Sequence, residues 1–196
     1  MSDTVKSYAT LPEGYRQILH IDLQNDKKLM LIVNVLGTLI MVAMIVAAAF
    51  VVPLTTMAGS GNLIKLLVLF GGFVLYMVLH EAVHGIFMRR FCDAKVKFGF
   101  TGMYAFAGSE GYYCRRHYII IALAPVVIWG IVLGILNIFV PYDWFYVVYL
   151  IQASNVGGAA GDLYVSWRMS KLPKDLLVRD SGVAMSVYSQ EELLEG

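Results

Sequence analysis

Four long apolar runs alternate with polar segments along the chain. The runs cover residues 29–52, 63–87, 118–140 and 145–167. At about 1.5 Å of rise per residue, each run is long enough for an α-helix to cross a hydrocarbon core of about 30 Å. The pattern predicts an all-α integral membrane protein with four transmembrane helices. Residues 29–167 would form the membrane domain, between a polar N-terminal segment over 1–28 and a polar tail over 168–196.

The polar segment between the second and third runs has a different pattern. Residues alternate with period two over Lys95–Phe100, and Met103–Phe106 continues the alternation after Gly102. Because such alternation is typical of β-strands, we expect a small membrane-associated β-hairpin between helices 2 and 3, with a further turn at Gly108–Gly111. A plain basic loop, with its aromatic residues at the headgroup level, is the alternative. Gly182–Tyr188 alternates weakly and could add one strand to the N-terminal stretch or the hairpin.

Composition supports assignment to the membrane class. Apolar residues make up 59% of the chain and charged residues only 15%, against about 25% charged in soluble domains. The formal net charge of +1 gives no bulk attraction to nucleic acid. Cys92 and Cys114 lack the paired spacing of a zinc site and are interpreted as ordinary thiols. Residues 1–28 contain acidic residues and no short apolar core, so no signal peptide is expected.

Basic residues are distributed unevenly among the polar segments. Lysine and arginine occur in the N-terminal, middle and C-terminal segments, whereas the turns at 53–62 and 141–144 contain none. By the positive-inside rule, both termini and the middle segment are predicted to face the cytoplasm. The chain is therefore expected to be a multi-pass protein of the cell membrane, with the lipid bilayer as its surroundings.

His80, Glu81 and His84 form an H-E-x-x-H pattern near the end of the second run. A spacing of four places both imidazoles on one face of a helix, with the carboxylate beside them. This arrangement predicts a zinc site in which Glu81 is the general base. The alternative is a pair of helix-end histidines near the headgroups, with Glu81 paired to Arg89 or Arg90. A central charge in a membrane helix costs roughly 2.5–3.5 kcal/mol, which favours the metal site.

The fourth run contains a candidate third ligand, Asp162. It lies at the same predicted depth as the two histidines, and the second and fourth helices run in the same direction in the predicted topology. Gly157 and Gly161 form a small-x-x-x-small pair, which allows close helix packing and is expected to bring Asp162 to the histidines. The alternatives are ordinary packing for the glycines and an ion pair with Arg168 for the aspartate.

These residues resemble a small, outlying branch of the site-2-protease-type intramembrane zinc metalloproteases. The resemblance covers residues 63–162 and depends on the H-E-x-x-H helix and an aspartate on a later helix. It implies Zn²⁺ as cofactor, with His80, His84 and Asp162 as ligands and Glu81 as the base. The chain departs from that group where glycines follow Asn155 and a leucine follows the aspartate.

The resemblance also implies a substrate site and an activity. Val96, Phe98 and Phe100, on the segment after the catalytic helix, would bind an extended substrate as an added strand, and Asn155 would contact the substrate backbone. The expected reaction is hydrolysis of peptide bonds in membrane or membrane-adjacent protein substrates. A non-proteolytic metal-binding membrane protein, acting in metal handling or as an inactive scaffold, is the alternative.

Overall fold

The computed structural model describes residues 6–22, 25–57, 62–102 and 104–190. Gly59 and Met103, which the sequence places in an outer turn and a strand, lie outside these ranges. The described helices are α1 (Lys27–Ala49), α2 (Asn62–Phe91), α3 (Arg115–Phe139), α4 (Phe145–Gly158) and α5 (Ala160–Ser170). The strands are β1 (Arg16–Ile21), β2 (Val96–Phe100), β3 (Ala105–Ser109), β4 (Tyr113–Cys114), β5 (Leu177–Asp180) and β6 (Met185–Ser189). Short 3₁₀ turns occur at Leu54–Met57 and Tyr142–Trp144.

Three of the described helices, α1, α2 and α3, are long and apolar enough to cross a membrane. Their bounds differ by a few residues from the predicted runs: α2 continues to Phe91, and α1 ends at Ala49. All three expose large apolar side chains, including Leu31, Phe70 and Ile131. Continuous exposed apolar surface is unfavourable in water and suits contact with lipid.

The fourth predicted span, over 145–167, is not one continuous helix. α4 ends at Gly158, Ala159 has φ −77° and ψ 9°, and α5 begins at Ala160. With 14 and 11 residues, neither helix is long enough to cross the bilayer alone. Glycine costs about 1 kcal/mol relative to alanine inside a helix, so the Gly157–Gly161 run weakens the helix where it breaks. Four continuous membrane helices are therefore not confirmed.

Gly157 allows α4 to approach α1. A Cβ atom added to Gly157 would lie 2.6 Å from the carbonyl oxygen of Gly37, and a Cβ added to Gly37 would overlap the carbonyl oxygen of Gly157. A Cβ on Gly161 would meet only Val33, at an ordinary 3.9 Å. The prediction that the two glycines bring the fourth helix against the second is therefore wrong.

The polar segments contain more sheet structure than one hairpin. β2 pairs antiparallel with β3, with Val96 opposite Ser109 and Phe100 opposite Ala105. The N-terminal and C-terminal segments contribute to a separate four-stranded sheet with the order β1-β6-β5-β4. After the predicted turn at Gly108–Gly111 the chain does not pair back onto β3, because β4 pairs with β5. An all-α description is therefore too narrow for the polar parts of the chain.

The chain divides into two compact units whose boundaries fall inside helices. The first unit comprises the described residues within 1–30, 81–124 and 162–196, and both sheets belong to it. Its core includes Tyr113, Met169 and Val178, each fully buried. The second unit comprises those within 31–80 and 125–161, where Tyr76 and Ile151 belong to one apolar cluster.

We expect Gly157→Ala to destabilise the protein by about 1–3 kcal/mol, because its methyl group would press on the backbone of Gly37. Gly158→Ala is the matched control, since an added Cβ there meets nothing within 4 Å. Thermal unfolding of the purified variants in detergent measures both effects. Equal stability of the two variants would contradict the close contact between α1 and α4.

Candidate metal centre

The structure brings together the three predicted metal ligands, His80, His84 and Asp162. Each offers one ligand atom, and the three atoms lie within 4.8 Å of one another. The histidines are one turn apart on α2, and each is only 9% exposed. Asp162, on α5, places Oδ2 3.7 Å from Nε2 of His84. Two imidazoles and a carboxylate therefore converge within a small volume.

This donor set fits zinc. Catalytic zinc sites use three protein ligands from histidine and carboxylate side chains and keep a fourth position open. Tetrahedral geometry with bonds of about 2.1 Å places two ligand atoms about 3.4 Å apart. The 3.7 Å between His84 and Asp162 is close to that value and longer than a direct hydrogen bond. The separation is thus compatible with two ligands of one ion.

The helix break at Ala159 gives Asp162 a favourable position. The carboxylate lies in the first turn of α5. Backbone N–H groups in a first turn have no partner within the helix, and the N-terminus carries a partial positive charge. A carboxylate is therefore better tolerated there than in the middle of a continuous apolar helix. The sequence signal for this break is the run of small residues at 157–161.

His84 is oriented by the backbone of α3. Its Nδ1 lies 2.9 Å from the carbonyl oxygen of Ile121. A carbonyl oxygen can only accept, so Nδ1 carries the proton and donates it. In the neutral ring the lone pair is then on Nε2, on the side where Asp162 lies. This is the tautomer that a metal-binding histidine requires.

His80 is oriented by Tyr76, which lies one turn earlier in α2. The tyrosine hydroxyl is 2.8 Å from Nδ1 of His80 and 3.0 Å from Oδ1 of Asn155. The Asn155 amide donates through Nδ2 to the carbonyl oxygen of Val126 at 3.1 Å, which identifies its other end as the acceptor. Tyr76 therefore donates to Asn155 and accepts from Nδ1–H of His80. Nε2 of His80 is left with its lone pair.

Asn155 was predicted to contact the substrate backbone, but it lies in the protein interior. The residue is 0% exposed, and both ends of its amide are hydrogen-bonded. Asn155 accepts a hydrogen bond from Tyr76, and Tyr76 in turn is hydrogen-bonded to His80. Sequence reasoning missed Tyr76, although its spacing of four from His80 continues the stripe formed by the two histidines.

The strand expected to bind substrate lies beside the end of α2. The ring of Phe98 covers Gly85, the residue after His84, so closely that a Cβ on this glycine would overlap it. Val96 is buried, whereas Phe98 and Phe100 are 54% and 66% exposed. Glu81, the predicted base, is partly buried in the turn of α2 between the two histidines.

A second carboxyl group, Asp180, contributes to the electrostatics of this region. It lies at the end of β5, where Oδ2 accepts a hydrogen bond from the Tyr118 hydroxyl at 2.7 Å and Oδ1 accepts one from the Gly182 N–H at 2.8 Å. Burial raises the pKa of Asp180, and these two hydrogen bonds oppose that rise. No pattern in the sequence pointed to Asp180, because it lies in a tail segment without motif spacing.

We expect Asp162→Ala and His84→Ala to lower zinc occupancy to similar levels, because each variant removes one of three ligands. Glu110→Ala is the control, an exposed acidic residue paired with Lys97. Metal analysis of purified, folded variants gives the stoichiometry. Full occupancy in Asp162→Ala would remove this residue from the ligand set.

Comparison with known proteins agrees with this chemistry. Residues 73–177 match the profile of the DUF3267 family, whose description is "Putative zincin peptidase". The match spans more than half of the chain and includes all three ligand residues. No curated protein and no solved structure matches the chain significantly. The chain belongs to the DUF3267 family and is, with it, a metallopeptidase of the zincin type.

Proposed function

We propose that this protein is a membrane-embedded zinc metallopeptidase of the site-2-protease type. Its substrates are membrane or membrane-adjacent proteins, in which it hydrolyses peptide bonds. The observation that carries the proposal is the convergence of His80, His84 and Asp162 next to Glu81 near the end of an apolar helix. Membership of a zincin family supports the peptidase chemistry, and three long apolar helices support the membrane location.

The roles of the chain's own residues follow from their positions. The two imidazoles and Asp162 would hold Zn²⁺. When bound, zinc supplies Lewis-acid chemistry, which makes water a nucleophile near neutral pH and polarises a peptide carbonyl. The Glu81 carboxylate takes a proton from the attacking water and passes it to the leaving amide nitrogen. Tyr76 and the carbonyl of Ile121 keep the Nδ1 atoms protonated, so that both Nε2 atoms remain available.

The proposed membrane arrangement has both termini in the cytoplasm and α4 with α5 as an interrupted fourth crossing. Placed end to end, helices of 14 and 11 residues would extend about 37 Å, more than the thickness of the hydrocarbon core. Interrupted helices are tolerated at membrane depth where the break is buried in protein. Ala159 and Ala160, at the break, are 0% and 3% exposed.

The substrate is proposed to bind as a strand along β2. In the part of the chain that the structure describes, β2 pairs with β3 alone, so its second edge has no strand partner there. An extended peptide bound there would satisfy its backbone hydrogen bonds within apolar surroundings. The exposed rings of Phe98 and Phe100 supply apolar contact area beside the metal-binding helix.

Glu81→Gln is predicted to abolish peptide-bond cleavage and to retain zinc, because an amide cannot accept the proton and the three ligands are unchanged. Fragments of membrane proteins that accumulate with the parent and not with the variant identify the substrates. Full cleavage by the variant would show that Glu81 is not the base. A zinc-loaded parent that generates no fragments would favour the metal-handling alternative.

Single-cysteine labelling tests the topology. Cys92 and Cys114 are buried free thiols and can remain in place, so new cysteines are introduced at the exposed positions Tyr142 and Lys174. On intact cells, an impermeant reagent is expected to label Tyr142→Cys and to leave Lys174→Cys unlabelled until the membrane is opened. The reverse pattern would overturn the cytoplasmic location of the termini.

A further inference from the structure

Pro125 lies inside α3, four residues after Ile121. In an α-helix the N–H of residue 125 would donate to the carbonyl oxygen of residue 121. Proline has no N–H, and its ring also presses against that carbonyl. The carbonyl oxygen of Ile121 therefore lacks its usual partner within the helix.

The donor that replaces the missing N–H must come from the protein interior. Ile121 is 1% exposed, so water has little access to its surroundings. A buried carbonyl without a donor costs about 1–3 kcal/mol, and native proteins therefore pair such groups. Here the donor is Nδ1 of His84, at 2.9 Å. The carbonyl that the proline releases is the one that orients a metal-ligand histidine.

We propose that Pro125 is a positioning residue for the metal centre. By removing the competing helical N–H, it reserves the Ile121 carbonyl for Nδ1–H of His84, which presents Nε2 as a ligand. This inference rests on the proposed zinc site and adds a residue that contacts neither metal nor substrate. It also gives a reason for a proline in the interior of a long apolar helix.

A kink needed only for packing is the competing explanation, and two replacements at one position separate it from the proposal. Pro125→Ala restores an N–H that can occupy the Ile121 carbonyl. Replacement of Pro125 by lactic acid gives the same methyl side chain on an ester linkage, which has no N–H. Both replacements remove the proline ring and any bend that it imposes, so they differ only in whether residue 125 has an N–H that can donate to the Ile121 carbonyl.

The readout is zinc affinity, measured by competition with a chelator on purified full-length protein. We expect the dissociation constant to rise about tenfold or more in Pro125→Ala, as when an outer partner of a metal ligand is lost, and to stay within about threefold of the parent in the ester. Thermal unfolding and circular dichroism of each protein provide the folding control. An equal loss of zinc affinity in both replacements, or no loss of zinc affinity in either, overturns the proposal.

A measurement without metal keeps this inference separate from the proposed function. If the parent binds no zinc, the zinc site fails, and ¹⁵N resonances of the His84 ring in the metal-free protein decide the role of Pro125. The proposal expects Nδ1 to be protonated in the parent and the ester, and the Nε2–H tautomer to gain population in Pro125→Ala. The same tautomer in all three proteins contradicts it.

Discussion

The structure depends on one constraint: polar and ionisable atoms in apolar surroundings must have partners. His80 and His84 are almost completely buried on a helix whose other side chains are mainly apolar. Each imidazole uses Nδ1 for a hydrogen bond to protein, and one ligand atom of each ring lies within 4.8 Å of one from Asp162. The two histidines and Asp162 together form a donor set that fits a divalent cation.

The two histidines are supported in different ways. His80 depends on side chains, since Tyr76 links it to Asn155 and then to the Val126 carbonyl. His84 depends on a main-chain carbonyl that proline has released from helical pairing. In each case a feature that is unfavourable in an apolar helix, either a polar side chain or an irregular backbone, helps to orient a metal ligand. The helix break before α5 has a similar effect for Asp162, because the helix N-terminus that it creates favours a carboxylate.

The sequence predicted what is local and periodic. Spacing of four identified His80 and His84, and an aspartate in an apolar run identified Asp162 as a candidate partner. Long apolar runs predicted three of the helices, and period-two alternation predicted β2. Long-range relations were predicted less completely: Gly157 contacts α1 and not α2, whereas β6 pairs with β1, one of the two partners left open for the strand over Gly182–Tyr188. A small-residue run indicates close packing without naming the neighbour, and a weakly alternating tail does not identify its partner strand. Asn155 was assigned to the substrate backbone on the family resemblance, and its burial beside Tyr76 could not be predicted from single-sequence patterns.

Zinc K-edge X-ray absorption of the purified parent protein tests the central claim most directly. A site made by His80, His84 and Asp162 predicts nitrogen and oxygen scatterers at about 2.0–2.2 Å, with the multiple-scattering signature of two imidazoles and no sulfur. A sulfur shell at about 2.3 Å, which only cysteine thiolates would supply, or a spectrum with fewer than two imidazoles, would contradict the account.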